Sequence, residues 1–254
     1  MARTPIIGGN WKLNLGRTPA RDLLTALRAS LDGIAGVEVV VCPPAPWLGD
    51  AADILRGSSI GVGAQNVYWQ PQGAFTGEVS AALLAGVVDY VIVGHSERRH
   101  VFHETAEETN KKLQTVLGLG MQPFFAVGEL REERESGRTN DVLKRQLLVG
   151  FTDIEPLPEG FVVAYEPVWA IGTGLTATPE IAQQTCADIR AIVAGRYGEA
   201  TAEACRIQYG GSANAENAGN LMSQPDIDGL LVGGAALQAE SFTAICKAAA
   251  AATV

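Results

Sequence analysis

Eight short apolar runs recur along the 254-residue chain, and longer helical patterns separate them. Runs of this length with many β-branched residues are typical of buried strands. Eight strands alternating with helices in about 250 residues indicate a (β/α)8 barrel. An open, doubly wound sheet is the alternative. The predicted strands are Ile6–Gly9, Val37–Cys42, Ile60–Ala64, Tyr90–Val93, Pro123–Val127, Val162–Tyr165, Arg206–Tyr209 and Gly229–Val232.

Helical periodicity fills the segments between these runs. Thr18 is predicted to cap a helix that ends at Leu31, with Pro19 at its first position. The charged stretch Arg131–Arg138 is expected to be a solvated helix face. No linker rich in Pro, Gly or Ser divides the chain, so we expect one domain over residues 1–254. The other predicted helices are Thr105–Leu117, Asp141–Leu148, Pro179–Tyr197 and Ala239–Ala252.

The charge balance argues against several classes of partner. The net charge is −9, and no cluster of Lys or Arg suits nucleic acid or an anionic membrane. We find no signal peptide and no run of about 20 apolar residues, so we expect neither export nor a membrane span. The 4 cysteines are scattered without a CxxC pair, which favours reduced thiols in the cytoplasm.

Polar or glycine residues directly follow the predicted strands. In a (β/α)8 barrel the carboxyl ends of the strands form the active face, so these residues are the candidates for chemistry. Glycines there let backbone N–H groups approach a phosphate closely. The candidates are Asn10 and Lys12, His95–Glu97, Glu166, Gly210–Ser212, and Gly233 with Gly234.

The stretch from Ala164 to Gly174, AYEPVWAIGTG, combines a carboxylate with the pattern of a lid. Glu166 follows the end of a predicted strand, where Pro167 restricts the backbone conformation. An apolar segment bounded by glycines comes next. Closing such a lid excludes water and raises the basicity of the carboxylate. His95 precedes a predicted helix start, whose dipole disfavours imidazolium, so we expect a neutral donor.

Four motifs resemble those of triosephosphate isomerases: NWK at Asn10–Lys12, GHSERR at Gly94–Arg99, AYEPVWAIGTG, and YGGS at Tyr209–Ser212. This family is itself a usual illustration of acid–base tuning and lid closure. The resemblance runs from Gly8 to about Ala249. It implies a single (β/α)8 TIM barrel that interconverts dihydroxyacetone phosphate and D-glyceraldehyde 3-phosphate through an enediolate. The reaction needs neither a metal nor an organic cofactor.

The resemblance also implies a role for each candidate residue. Glu166 is the base, and His95 polarises the substrate carbonyl. Lys12 and Asn10 steady the phosphate and the developing oxyanion, and Glu97 is the ion-pair partner of Lys12. The implied phosphate contacts are Gly172, Ser212, Gly233 and Gly234. Ala126 and Ala213 depart from the residues usual in the family, but neither is an implied proton carrier.

The long loop Gln65–Glu78 follows the third predicted strand. Unstructured stretches of this length are usually functional. In the family, the matching loop inserts into a neighbouring subunit beside the catalytic lysine. The resemblance therefore implies a homodimer, with a flexible loop on a monomer as the alternative.

Three other interpretations were weighed. His100, His103 and Glu104 suggest a zinc site, but no further Cys or His lies at suitable spacing, so we expect the two histidines to be surface residues at a helix start. An aldolase would need a Schiff-base lysine, for which Lys12 is the comparable candidate. A catalytically silent barrel, kept as a sugar-phosphate binding or scaffold protein, would be expected to lose a charged catalytic group, and all are present.

Overall fold

The computed structural model describes residues 3–171 and 177–252. Eight parallel strands close into a barrel in sequence order. The strands are β1 (Ile6–Asn10), β2 (Glu38–Cys42), β3 (Ile60–Ala64), β4 (Tyr90–Val93), β5 (Gln122–Val127), β6 (Val162–Tyr165), β7 (Arg206–Tyr209) and β8 (Gly229–Val232). Each predicted strand is confirmed to within one residue. The pairing of β1 with β8 excludes the open sheet.

Helices surround the barrel and connect its strands. They are α1 (Arg17–Leu31), α2 (Leu48–Ile54), α3 (Ala81–Leu84), α4 (Ser96–His100), α5 (Ala106–Gly118), α6 (Arg131–Glu135), α7 (Thr139–Gly150), α8 (Pro179–Tyr197), α9 (Glu199–Ala204), α10 (Ala218–Met222) and α11 (Ala239–Ala251). Short 3-10 turns occur at Ala45–Trp47, Val168–Ala170 and Gly234–Leu237. No helix within the described ranges is long and apolar enough to span a membrane.

The helix caps correct the prediction for Thr18 and move the start of the predicted helix Thr105–Leu117 by one residue. Thr18 lies inside the first turn of α1, because the helix begins at Arg17 and Gly16 is its N-cap without a side-chain hydrogen bond. Pro19 is tolerated there because the first N–H groups of a helix lack intrahelical partners anyway. Thr105 forms a complete capping box with Glu108 at the start of α5.

Alternation along each strand divides the core into two layers. Side chains such as Phe124 point into the barrel, and their neighbours such as Phe125 pack against the surrounding helices. This alternation follows from the two-residue period of a strand. The barrel interior is filled by Ile6, Val40, Cys42, Tyr90, Ile92, Phe124, Ala126, Val162, Ala164 and Leu231. A filled interior confines any ligand to the rim of the barrel.

Gly128 lets the backbone after β5 pass close to Glu166. A Cβ added at Gly128 would lie 1.7 Å from the Glu166 carbonyl oxygen. The adjacent backbone is tied by the hydrogen bond from Glu166 N–H to the Val127 carbonyl, at 2.8 Å. Neither backbone segment can move away from the other without breaking this hydrogen bond between β5 and the residue that follows β6.

We therefore expect Gly128→Ala to destabilise the fold by about 3 kcal/mol or more, because the clash is with backbone atoms. Exposed Gly195 in α8 is the matched control, since nothing lies within 4 Å of a Cβ added there. Gly195→Ala should stabilise by about 0.5–1 kcal/mol, because alanine is the better helix former. Urea unfolding measures both free energies. Equal stability of Gly128→Ala and the parent would contradict the close approach.

Candidate active site

The sequence candidates at the strand ends, apart from Ser96 and Glu97, line one cavity of about 400 Å³ at the carboxyl rim of the barrel. The interior core closes the cavity from below, and its mouth opens to solvent. Among the described residues, the lining is Asn10, Trp11, Lys12, Asn14, His95, Glu166, Ile171, Gly210–Asn214, Leu231 and Gly233–Ala235. The cavity thus brings together residues more than 200 positions apart in the sequence.

Lys12 follows β1 in an unusual backbone conformation. Its φ of +52° lies in the left-handed region, which side chains other than glycine adopt only at a cost. The Asn10 side chain accepts the Lys12 N–H at 3.0 Å. Gln65 Nε2 donates to the carbonyls of Lys12 and Cys42, each at 2.9 Å. These hydrogen bonds hold the backbone that aims Lys12 at the cavity.

The Lys12 ammonium and Glu97 form the ion pair expected from the sequence. Their Nζ and Oε1 atoms are 2.7 Å apart. The Glu97 side chain is 46% exposed, so the pair lies at the solvent side of the rim. Glu97 thereby holds a cation over the cavity in an otherwise acidic chain.

Glu166 is 2% exposed and ends β6 with its side chain in the cavity wall. The backbone N–H of Ser96 donates to Glu166 Oε2 at 2.7 Å. His95 Nε2 lies 2.9 Å from Oε1. The space beside Gly210 is also needed, because a Cβ there would lie 3.0 Å from Glu166 Cγ. The carboxylate is therefore fixed from β4 on one side and β7 on the other.

His95 caps α4 and bridges two acidic residues. The Glu97 N–H donates to His95 Nδ1 at 3.2 Å. A ring nitrogen that accepts a hydrogen bond carries no proton, so in the neutral ring the proton resides on Nε2 and faces Glu166. This tautomer presents an N–H donor to the cavity.

The ionisation of the pair differs from the sequence prediction. Burial lowers the pKa of His95, but the charge and hydrogen bond of Glu166 outweigh burial, so the pKa rises above 6.5. Burial raises the pKa of Glu166, but the charge and hydrogen bond of His95 together with the Ser96 hydrogen bonds outweigh it and lower the pKa. The expectation of a lowered His95 pKa was wrong for this arrangement. The α4 helix has only five residues, and its dipole is small beside a full charge at 2.9 Å.

The glycine turns after β7 and β8 line the cavity between Glu166 and Lys12. Ser212 is exposed at its edge, and Asn217 holds the Ser212 carbonyl through a 3.1 Å hydrogen bond. A Cβ added at Gly233 would lie 3.6 Å from Lys12 Cε, so the lysine stem passes close to this turn. Gly234 begins a 3-10 turn. Gly172 and the end of the predicted lid, residues 172–174, lie outside the described residues.

Two of the site's backbone supports were missed by the sequence reasoning. The Ser96 N–H holds Glu166, although GHSERR drew attention only to its side chains. Gln65 anchors Lys12, although it was assigned to a subunit-contact loop. Neither role has a local sequence signal, because each depends on a contact between distant strands.

Of the three residues weighed as a zinc site, His100 and His103 are exposed, as expected. Glu104 is 7% exposed and forms ion pairs with Arg98 and Lys112. Within residues 3–171 and 177–252, no group of three potential ligands could hold a metal ion.

Comparison with known proteins gives one consistent family. A family model described as triosephosphate isomerase matches residues 5–249. A relative from Moorella thermoacetica is 51% identical over 245 residues, which cover 96% of this chain and 98% of the relative. A relative from Carboxydothermus hydrogenoformans is 49% identical over 247 residues, with 96% and 98% coverage. Both are named triosephosphate isomerase.

The charge coupling of the pair gives a pH prediction. In Glu166→Gln, the larger of the two carboxylate effects that raise the pKa of His95 is gone, whereas Glu97 and burial remain, so this pKa should fall. Imidazole NMR signals followed against pH in the parent and the variant measure the change. The chain has 3 histidines, and His95→Gln assigns the relevant signal. An unchanged or higher His95 pKa in Glu166→Gln would contradict the coupling.

Proposed function

The chain belongs to the triosephosphate isomerase family, and from this premise we propose how the rim of its barrel carries out the reaction. The enzyme interconverts dihydroxyacetone phosphate and D-glyceraldehyde 3-phosphate. One observation supports the roles most strongly. The buried carboxylate of Glu166 lies beside His95, and both line the same cavity as Lys12. These are the groups that a proton transfer next to a carbonyl requires.

Glu166 is the base. Its carboxylate faces the cavity. Burial raises the pKa of this carboxylate, and makes it a stronger base, once Ser96 and His95 no longer contact it. The charge and hydrogen bond of His95 and the hydrogen bonds from Ser96 lower the pKa of Glu166, which makes it a weaker base. A bound substrate must therefore displace the carboxylate from these donors. Glu166 then removes a proton from the carbon next to the carbonyl, and the hydroxyl proton on that carbon passes to the former carbonyl oxygen. After exchange with solvent, Glu166 delivers a proton to the former carbonyl carbon.

His95 and Lys12 stabilise the enediolate oxygens. Once Glu166 moves toward the substrate, its charge and hydrogen bond raise the pKa of His95 less. Burial then favours the neutral ring. The Glu97 N–H still occupies Nδ1, so Nε2–H faces the substrate oxygen as a donor. Lys12 adds a positive charge where negative charge develops, and Asn10 fixes its backbone.

The phosphate group binds at the turns that follow β7 and β8. Ser212 and the Gly233–Gly234 turn supply close backbone approach, and the nearby Lys12 supplies charge. Gly172 is proposed as a further contact from the family resemblance alone. Binding energy from the phosphate helps to displace Glu166 from its resting partners. No metal or organic cofactor is needed, since one base and an oxyanion site suffice.

Neither alternative gains a supporting observation. A silent scaffold has no use for a buried carboxylate paired with a histidine at the cavity wall. An aldolase would use Lys12 as a nucleophile, whereas its ammonium is engaged by Glu97 at 2.7 Å. We favour the isomerase reaction over both.

A cytoplasmic homodimer, working in glycolysis and gluconeogenesis, is the proposed form of the enzyme. The loop Gln65–Glu78 ends in an exposed tip, residues 70–78. Large apolar side chains are exposed on this loop and on the segments after β1 and β4, and a second subunit would cover them. They include Leu13 at 97%, Phe75 at 40%, Val101 at 64% and Phe102 at 63% exposure.

Glu166→Asp tests the base assignment. The shorter side chain withdraws the carboxylate by about 1.5 Å, so kcat should fall about a hundredfold or more, while a phosphate-bearing substrate analogue still binds. A coupled isomerase assay and analogue inhibition measure the two quantities. Exposed Glu107 in α5 gives the matched control Glu107→Asp, with kcat expected to stay unchanged. An unaltered kcat in Glu166→Asp would rule out Glu166 as the base.

Phe75→Glu tests the role of the loop. A charge at a buried contact without a partner opposes association, so the variant should be monomeric at micromolar concentration. Light scattering after size exclusion should give twice 26.7 kDa for the parent and 26.7 kDa for the variant. Leu148→Glu in α7, at a residue 39% exposed outside these segments, is the control and should remain dimeric. A monomeric parent or a dimeric Phe75→Glu would refute the loop contact.

A further inference from the structure

Arg134 departs from the solvated face that the sequence predicts for Arg131–Arg138. Its side chain is 28% exposed, whereas Arg131 on the same short helix, α6, is 68% exposed. Among the residues that the structure describes, the ion-pair partner of Arg131 is its helical neighbour Glu135, at 2.8 Å. Arg134 instead turns toward the barrel and reaches Glu129, at 3.1 Å. The two arginines therefore differ in contacts although they share a helix and a charge.

Glu129 is a fully buried carboxylate on the loop after β5, with 0% exposure. Its Oε1 accepts hydrogen bonds from Tyr165 OH at 3.0 Å, Trp169 Nε1 at 2.9 Å and Arg134. Its Oε2 has no hydrogen-bond partner among the described residues. A buried charge is costly unless it is paired. In the described part of the chain, Arg134 is the cation that forms an ion pair with it.

Glu129 and Arg134 together hold the segment that follows the base. The Glu129 carbonyl accepts the Val168 N–H at 3.2 Å, and its carboxylate accepts the Trp169 indole N–H. The Arg134 guanidinium carbon lies 5.2 Å from the centroid of the Trp169 ring, within cation–π distance. Arg134 thus contacts Trp169 directly and also acts on it through Glu129.

This segment connects two parts of the active-site wall. It begins at Glu166, passes through Pro167 and the 3-10 turn Val168–Ala170, and reaches Ile171. Both Glu166 and Ile171 line the cavity. A shift of Trp169 moves the backbone between them, and small misplacements of a catalytic group reduce the rate strongly.

We propose that Arg134 is a positioning residue for the isomerisation, which sets the place of Glu166 and Ile171 by pairing with Glu129 and stacking on Trp169. It touches no substrate and acts from outside the barrel. This inference rests on the proposed role of Glu166 as the base. The guanidinium suits the task because its planar group can donate to a carboxylate and lie over an aromatic ring at once.

Three variants test this role in the full-length enzyme. Arg134→Gln removes the charge and weakens the stack, Arg134→Lys keeps the charge but loses the planar group, and Arg131→Gln is the matched control. We expect kcat to fall about tenfold in Arg134→Gln and about threefold in Arg134→Lys. The inhibition constant for inorganic phosphate should stay within about twofold in all three variants, since Ser212 and the Gly233–Gly234 turn, which belong to other loops, supply most of its proposed contacts. Arg131→Gln should match the parent.

A second readout follows Trp169 directly. The chain has 4 tryptophans, so its indole N–H groups give four NMR signals, and Trp169→Phe assigns the relevant one. This signal should shift in both Arg134 variants and stay in place in Arg131→Gln. A purely stabilising Arg134 would lower the unfolding temperature of the variants without moving the Trp169 signal or kcat.

The inference is overturned if kcat of Arg134→Gln stays within about twofold of the parent, or if phosphate affinity falls as much as kcat does. If Arg134→Gln does not fold, Arg134→Lys decides by the same criteria, with a kcat equal to the parent's as the contradicting result. An inactive parent would refute the proposed function instead, and the Trp169 signal would still show whether Arg134 positions this segment.

Discussion

β1 pairs with β8 from Ile6 opposite Gly229 to Gly9 opposite Val232, and this pairing closes the sheet. Because all strands are parallel, closure brings their carboxyl ends to one rim. Asn10, His95, Glu166 and Gly233 thereby line one cavity although they lie far apart in the sequence. The filled interior below them leaves the rim as the place where these groups meet a ligand. An open sheet would separate β1 from β8, and Lys12 from the glycine turn at Gly233.

At this rim, the acidic and basic side chains of the site form pairs with one another. Lys12 pairs with Glu97, and His95 lies against Glu166. The backbone at the start of α4 positions the His95–Glu166 pair. The Ser96 N–H donates a hydrogen bond to Glu166, and the Glu97 N–H donates one to His95. Hydrogen bonds to charged groups contribute about 1.5–3 kcal/mol each. A substrate that supplies its own negative charge and carbonyl oxygen can replace these contacts, and this exchange turns a resting carboxylate into a base.

The sequence predicts most of the fold, because the strands are buried apolar runs whose limits are set by local composition. The site residues at the rim follow from those strand ends together with the family resemblance. The errors arise where a distant contact decides the outcome. His95 was expected to have a lowered pKa from its own helix, but a carboxylate from β6 reverses the direction. Arg134 was predicted on a solvated helix face, yet an ion pair with Glu129 draws it inward. Thr18 has the residue type of a cap, but the helix begins one residue earlier.

The central claim is that a carboxylate at the rim moves a carbon-bound proton, and turnover in D2O tests it most directly. A base such as Glu166 exchanges the abstracted proton with solvent while the enediolate exists. Product formed from unlabelled substrate in D2O should therefore carry deuterium at the carbon that receives the proton, as seen by mass spectrometry and NMR. Product free of deuterium at full turnover would indicate direct hydride migration between the two carbons, and would contradict the account.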